Sequence, residues 1–309
     1  MKPLVLCLCG PTAGGKTAVS LALANLLPVE IVAMDAMQVY RRMNIGTAKP
    51  TRDERARVPH HMIDIVEPDE SYSVALYRRD ATACVDAILR RGKVPLLVGG
   101  TGMFLRALSL PLDYGHHGAD AAVRAKYEAY ARQRGNAALH ALLQERDAAT
   151  ASRLHENDVR RIVRALEVLE VTGQPLSRQV MPSLADGPYR ILPFCPDWPR
   201  EALYRRIEAR VDAMDAAGLE AEARGLLSSG VPTTAQAMQS IGYKEWLPYF
   251  AGRLPRSEVL AAIKQATRRY AKRQLTWLRA DPRVQYFPGQ DAPDRIARHL
   301  KEHYDKEPR

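Results

Sequence analysis

An apolar run, Leu4-Val5-Leu6-Cys7-Leu8-Cys9, leads straight into Gly10-Pro11-Thr12-Ala13-Gly14-Gly15-Lys16-Thr17, and that octapeptide leads into Ala18-Val19-Ser20-Leu21-Ala22-Leu23-Ala24, a helical pattern. A strand, a glycine-rich turn and a helix in direct succession leave few folds open. With the spacing G-x-x-x-x-G-K-T, they form the context that a phosphate-binding P-loop requires. Glycines let backbone N–H groups turn inward around a polyphosphate, and the helix N-terminus adds partial positive charge. Lys16 has the reach to meet the outer phosphates, and the Thr17 hydroxyl can join a magnesium shell. An incidental lysine beside a glycine-rich turn is the bland alternative, and it leaves the agreement of strand, loop and helix unexplained. The sequence therefore predicts binding of a di- or triphosphate.

Further strands alternate with helices. Val29 to Met34 reads as a second strand ending on Asp35, and Ser71 to Arg91 shows helical spacing closed by Gly92. Val94 to Val98 is a short apolar run suited to a buried parallel strand, and it ends in Gly99-Gly100-Thr101-Gly102. The expected fold class is α/β, a P-loop doubly wound parallel sheet. In such a sheet ligands gather at the C-terminal strand ends, so the P-loop, Asp35 and Gly99–Gly102 should meet in one crevice. From about Asp113 to Asp186 strand signals vanish, with His116-His117-Gly118 and Pro182–Pro188 as the entrance and exit of an inserted all-helical domain. The organisation expected is 1–112 and 187–309 as the catalytic core and 113–186 as the insertion. Tyr189 to Phe194 reads as a return strand, and the remainder as helical.

At 309 residues the chain has ample length for a core, and no apolar run approaches the ~20 residues that cross a bilayer. Its four cysteines lack the neighbours of a zinc site and read as reduced core residues of a cytosolic protein. The two histidines at 116 and 117 read as a solvated pair rather than metal ligands. A formal charge of +10 makes polyanions, nucleic acid first, the expected partners.

Asp35 is the second chemical signal, because a carboxylate at a strand end beside a P-loop either helps hold Mg²⁺ or acts as a base toward an acceptor. Gln38 and Tyr40 nearby suit the reading or stacking of a base. Thr101 adds one hydroxyl at the same rim. No second acidic strand of the NTPase type is evident, although Ile63-Asp64-Ile65 is a candidate, and this weighs against an energy-coupling ATPase. Three basic clusters remain. Arg160, Arg161 and Arg164 adjoin a helix start, while Lys264, Arg268 and Lys272 form one stripe, with Arg269 and Arg273 beside it and Arg279 beyond. Both read as faces for a phosphate backbone. Arg206 and Arg210 share a helix face and either clamp a diphosphate or pair with Glu201 or Glu208.

Together with Asn44–Pro50, Pro59–Asp64, Asn157-Asp158, Ile241–Lys244 and Lys272–Arg279, these motifs in this order resemble the tRNA dimethylallyltransferase (tRNA isopentenyltransferase) family over nearly the whole chain, in its bacterial form without a zinc-finger extension. The resemblance implies transfer of a dimethylallyl group from dimethylallyl diphosphate to N6 of the adenosine 3′ of the anticodon, with ATP not hydrolysed. It implies that Gly10 to Thr17 grip the donor diphosphate with Mg²⁺, that Thr17 serves the metal, and that Arg206 or Arg210 stabilises the leaving charge. Asp35 would be the general base, and Thr101 would position a substrate. The implied tRNA contacts are Asp35, Ala36, Met37 and Gln38; Arg160, Arg161, Ile162, Val163 and Arg164; Gln239, Ser240, Ile241, Gly242, Tyr243 and Lys244; and Lys272, Arg273 and Arg279. The acceptor is expected to be extruded from its stack. The family often has serine where Gly15 and Ala36 stand here. A cytoplasmic monomer is expected, with the anticodon stem-loop as partner and no membrane. A P-loop kinase of a small nucleoside or metabolite is the alternative.

Overall fold

The computed structural model describes residues 2–111, 120–178 and 186–305, without the side chains of 303–305. The expected boundary signals at His116–Gly118 and Pro182 lie outside the described residues. The chain divides into two compact units, Met1–Ser109 with Gly187–Arg309, and Leu110–Asp186.

The first unit begins with β1 (Leu4–Cys9), α1 (Lys16–Ala24), β2 (Val29–Met34), α2 (Arg52–Arg57), β3 (His60–His61), α3 (Val74–Arg90), β4 (Val94–Gly99) and α4 (Gly102–Ser109). The second unit contains α5 (Ala121–Arg134), α6 (Asn136–Arg146), α7 (Ala148–Ala151) and α8 (Val159–Thr172). The chain then returns to the first unit as β5 (Arg190–Asp197), α9 (Arg200–Ala216), α10 (Leu219–Ser228), α11 (Trp246–Phe250), α12 (Arg256–Arg279), β6 (Gln285–Pro288) and α13 (Ala292–Asp305).

The six strands form one parallel sheet in the order β3-β2-β4-β1-β5-β6. Alternation along β1 explains how both faces are covered. Val5, Cys7 and Cys9 enter one core with Tyr77 and Phe104, whereas Leu6 and Leu8 enter the other with Val19, Leu23 and Ile296. Burial of each large apolar side chain contributes about 1.5–3 kcal/mol, and a strand buried on both faces must be apolar throughout. The strand at Gln285–Pro288 corrects the expectation of an all-helical C-terminal segment. It and β3 are short edge strands, whose few residues carry little periodicity. Among the described residues no helix is long and apolar enough to cross a membrane.

The second unit has its own core, with Tyr127, Leu139, Leu143, Ile162 and Leu166 fully or nearly fully buried. Glu167 is also buried there and is held by Arg124 at 3.0 Å, Arg164 at 2.9 Å and the Asp120 amide at 3.0 Å.

Candidate active site

The P-loop leaves β1 through Gly10 and enters α1 from Gly15, whose φ of +88° is left-handed. A side chain at position 15 would be strained there, which is the physical reason for a glycine directly before the lysine of this motif. The loop's amides divide into two sets. Gly14 N–H donates to Pro11 O at 3.1 Å and Thr12 N–H to Gln274 Oε1 at 2.9 Å. The amides of Ala13, Gly15, Lys16 and Thr17 have no hydrogen-bond partner among the described residues and remain for an anion at the start of α1.

Residues from after the insertion hold the loop from outside. Trp198 Nε1–H donates to Gly14 O at 3.0 Å, and Arg206 Nε–H donates to Ala13 O at 2.8 Å, with its guanidinium 4.2 Å from the Trp198 ring. Arg210 Nη1 reaches Thr12 Oγ1 at 3.5 Å. Pairing of these arginines with Glu208 is not what the fold uses, because Glu208 pairs with Arg268 at 2.7 Å.

Lys16 lies folded over this loop, donating to Gly10 O at 3.0 Å and Pro11 O at 2.8 Å. Burial first, and the nearby Arg210 charge second, lower its pKa to about 8, with Asp35 pulling in the opposite direction. Below pH 8 the ammonium is charged and would favour an anion on the loop; above pH 8 it is neutral and that attraction would fade. Donor affinity should therefore be level up to about pH 8 and then weaken by up to ~10-fold per unit. Since the anion raises the lysine pKa, binding at pH 8 should also take up protons. Calorimetry in buffers of different ionisation enthalpy measures both effects; release of protons, or level affinity through pH 9.5, would contradict a Lys16 that titrates in this range.

Across the cleft, Asp35 Oδ1 accepts from Met37 N–H at 2.8 Å and Gln38 N–H at 3.3 Å. Its second oxygen accepts no hydrogen bond from the described residues. Thr101 Oγ1 accepts from Ala36 N–H at 3.2 Å, which joins the turn after β2 to the loop after β4. Tyr270 lies against Thr101 and Gln274, and burial raises its phenol to about 12. Gln38 Nε2 donates to Thr47 O at 3.1 Å, so one end of this amide braces the 44–50 loop while the side chain lines the cleft. That loop hangs on Glu222, whose carboxylate accepts from the amides of Asn44 at 2.8 Å, Ile45 at 2.9 Å and Gly46 at 3.1 Å, and from Tyr243 OH at 2.6 Å.

One cleft of about 450 Å³ is lined by Thr12 to Thr17, Asp35 to Gln38, Gly99 to Thr101, Arg210, Gln239 to Gly242, Lys244, Tyr270, Arg273 and Gln274. The fold thus brings together the P-loop, Asp35, Thr101 and Arg210. Tyr243 is fully buried against Glu222 and offers the cleft no surface, because its phenol is spent on the anchor. In α8, Arg160 and Arg161 are exposed, but Ile162 and Val163 are packed in the second unit's core and have no side-chain surface for RNA. Arg164 is committed in part to Glu167. In α12 the basic stripe is shorter than the sequence implies. Asp212 and Glu208 of α9 neutralise Lys264 at 2.6 Å and Arg268 at 2.7 Å, leaving Arg269, Lys272, Arg273 and Arg279 exposed on their helix. Asp64 lies outside this cleft, paired with Lys49 at 2.6 Å and Arg55 at 2.8 Å, so it is no second acid for the P-loop.

Sequence reasoning missed Trp198, Glu222 and Tyr270. Gln274 lies inside the Lys272–Arg279 motif without a role of its own there; its signal is a polar amide that interrupts the buried stripe Val259, Ile263, Ala271, Leu278.

Residues 38–281 match the family model described as IPP transferase, and residues 3–63 match that described as isopentenyl transferase. The chain is 47% identical to tRNA dimethylallyltransferase 1 of Trichlorobacter lovleyi, over 93% of this chain and 94% of that protein. It is 49% identical to a tRNA dimethylallyltransferase of Geobacter metallireducens, over 91% of each. Among solved structures, the full-length tRNA isopentenylpyrophosphate transferase from Bacillus halodurans superposes with a TM-score of 0.73 at 37% identity, covering 99% of this chain and 100% of that one. A eukaryotic dimethylallyltransferase described as acting on tRNA gives a TM-score of 0.84 at 26% identity, covering 99% and 80%.

Proposed function

Because this chain belongs to the IPP transferase family of tRNA dimethylallyltransferases, we propose that it transfers the dimethylallyl group of dimethylallyl diphosphate to N6 of the adenosine 3′ of the anticodon in tRNA. The observation that carries the reading is a single cleft lined by both a P-loop and a carboxylate oxygen, Asp35 Oδ2, that has no partner among the described residues. A kinase of a small acceptor also needs a P-loop, but the family membership does not favour it.

In the reaction the allylic C–O bond breaks and its electron pair leaves with diphosphate. The N6 nitrogen forms the new C–N bond, and its proton passes to Asp35. The exocyclic amine is a weak nucleophile because its lone pair is delocalised into the ring, so a positioned base is required. Charge building on the departing diphosphate is met by the amides at the start of α1, by Lys16 and by Arg210. Arg206 braces the loop through Ala13 O. Among the described residues no cluster of three His, Cys, Asp or Glu side chains is suited to a metal. This sparse donor set fits Mg²⁺, a hard cation that keeps most of its shell from outside the protein, and Thr17 would add its hydroxyl. Such an ion would supply charge neutralisation on the leaving group.

The adenosine is taken to be extruded into the cleft, where Thr101, Gln239 and Lys244 are available to contact it. Lys272, Arg273 and Arg279 of α12, and Arg160 and Arg161 of α8, are the proposed phosphate contacts. Reversal of Arg160 and Arg161 to Glu should lower the slope of log affinity against log salt by ~0.7–0.9 for each arginine–phosphate ion pair removed. Titration of unmodified tRNA at several salt concentrations measures it, and an unchanged slope removes both residues from the phosphate path. The four cysteines are all free, which suits the cytoplasm, where tRNA is modified.

The deciding experiment incubates the protein with dimethylallyl diphosphate, Mg²⁺ and unmodified tRNA carrying adenosine 3′ of the anticodon, followed by nucleoside mass analysis. A dimethylallyl mass gain at that adenosine is expected. No gain with folded protein on several such tRNAs, together with ATP-dependent phosphorylation of a small acceptor, would favour the kinase.

A further inference from the structure

Gln274 is a buried amide within the apolar stripe of α12, 6% exposed, and its two ends make different bonds. Its Oε1 accepts from the P-loop amide Thr12 N–H at 2.9 Å, and its Nε2 donates to Gly100 O at 2.9 Å. Because one partner is a donor and the other an acceptor, the orientation of the amide is set by chemistry. The approach is close: a Cβ added at Gly100 would lie 2.0 Å from Gln274 Nε2. Gly100 adjoins Thr101, which holds the Asp35 turn through Ala36 N–H, and Tyr270 contacts both Thr101 and Gln274. A single side chain thus touches the loop that faces the diphosphate and the loop that leads to the base.

We propose that Gln274 is a positioning residue that sets the spacing between the donor loop and the acceptor loop, so that the P-loop and Asp35 act on the same reacting pair. The proposal deepens the prenyl-transfer reading and rests on it for the catalytic readout. Gln274 contacts no reacting atom; it works through Thr12 on one side and through Gly100 and Thr101 on the other. By engaging the Thr12 amide it also keeps that N–H out of the anion site.

Two variants separate positioning from mere packing. Gln274→Leu leaves both Thr12 N–H and Gly100 O without their partner, and should weaken inorganic diphosphate binding with Mg²⁺ by ~10-fold and lower kcat by at least as much. Gln274→Glu has nearly the same shape. When ionised it still accepts from Thr12 N–H but cannot donate to Gly100 O; when protonated it can do both. At pH 6, where the neutral carboxyl makes both bonds, its diphosphate affinity should stay within ~3-fold of the unsubstituted protein, and its kcat should be depressed at pH 8. Relative to the unsubstituted protein, that kcat should recover as pH falls toward 6.

The diphosphate titration needs no tRNA chemistry, so it stands even if the prenyl-transfer reading fails. Failure of that reading would appear as an unsubstituted protein that binds diphosphate but modifies no tRNA. For both variants, thermal unfolding and tRNA affinity measure the folded fraction. Diphosphate affinity and kcat unchanged in Gln274→Leu, or a kcat ratio for Gln274→Glu that is level from pH 6 to 8, would overturn the proposal. Losses in both variants that only track the unfolded fraction would overturn it as well.

Discussion

Asp35→Asn lowers the single-turnover rate of prenyl transfer by ~10²–10⁴-fold, the range for loss of a general base, with affinity for tRNA nearly unchanged. The substitution is chosen from the geometry. The carboxylate uses Oδ1 to accept from Met37 N–H and Gln38 N–H, and an asparagine oxygen can keep both bonds. The turn after β2 therefore survives, while the second oxygen becomes an amide nitrogen that cannot take a proton. Asp35→Ala would be less informative, because it removes the turn's acceptor as well as the base. A rate within ~10-fold of the unsubstituted enzyme would mean that the proton leaves N6 by another route.

Lys16→Met should reduce kcat/KM for the donor by ~10²–10³-fold, the cost usually seen when one preorganised partner of developing charge is removed. Methionine keeps most of the side chain's length and apolar bulk, so the loop is not emptied. The carbonyls of Gly10 and Pro11 lose their donor, however, and some loosening of the loop adds to the effect. The same variant also tests the source of the pH dependence. If Lys16 is the group with a pKa of about 8, the weakening of donor affinity above that pH disappears in Lys16→Met. A loss smaller than ~10-fold would assign the leaving charge mainly to the α1 amides and Arg210.

How much of the fold and site is legible in the sequence follows from the range of the interactions. The P-loop, β2 and β4 are local patterns, with apolar strands stopped by glycine or aspartate, and strand-end chemistry locates them on one rim. The second half of the site is not local. Trp198, Arg206 and Gln274 act on backbone atoms of a loop formed far earlier in the chain, and a backbone carbonyl has no sequence signature. The basic stripe of α12 looks longer in sequence than in the structure for the same reason, since its acids, Asp212 and Glu208, belong to a different helix. Ile162 and Val163 belong to the family segment around Arg160, yet their apolar character points to the core where they lie. Glu222 gives no warning at all: it sits in an ordinary amphipathic helix, and its partners are three consecutive amides more than half the chain away.

The central strand that carries the P-loop has neighbours made at very different times. Leu8 lies opposite Val98 on one side and Phe194 on the other. At ~5–20 residues per second, ribosomal synthesis reaches β5 some ~10–40 s after it starts, and α12 later still. Until then β1 has an open hydrogen-bonding edge and the loop lacks Trp198, Arg206, Arg210 and Gln274. The inserted unit, with a core of its own, can fold during that interval. Such long-range strand pairing is slow and leaves an apolar edge open to other chains. A protein cut short anywhere before α12 should therefore retain the whole recognisable phosphate motif while lacking the support that makes it a binding site. The loop made first becomes usable last.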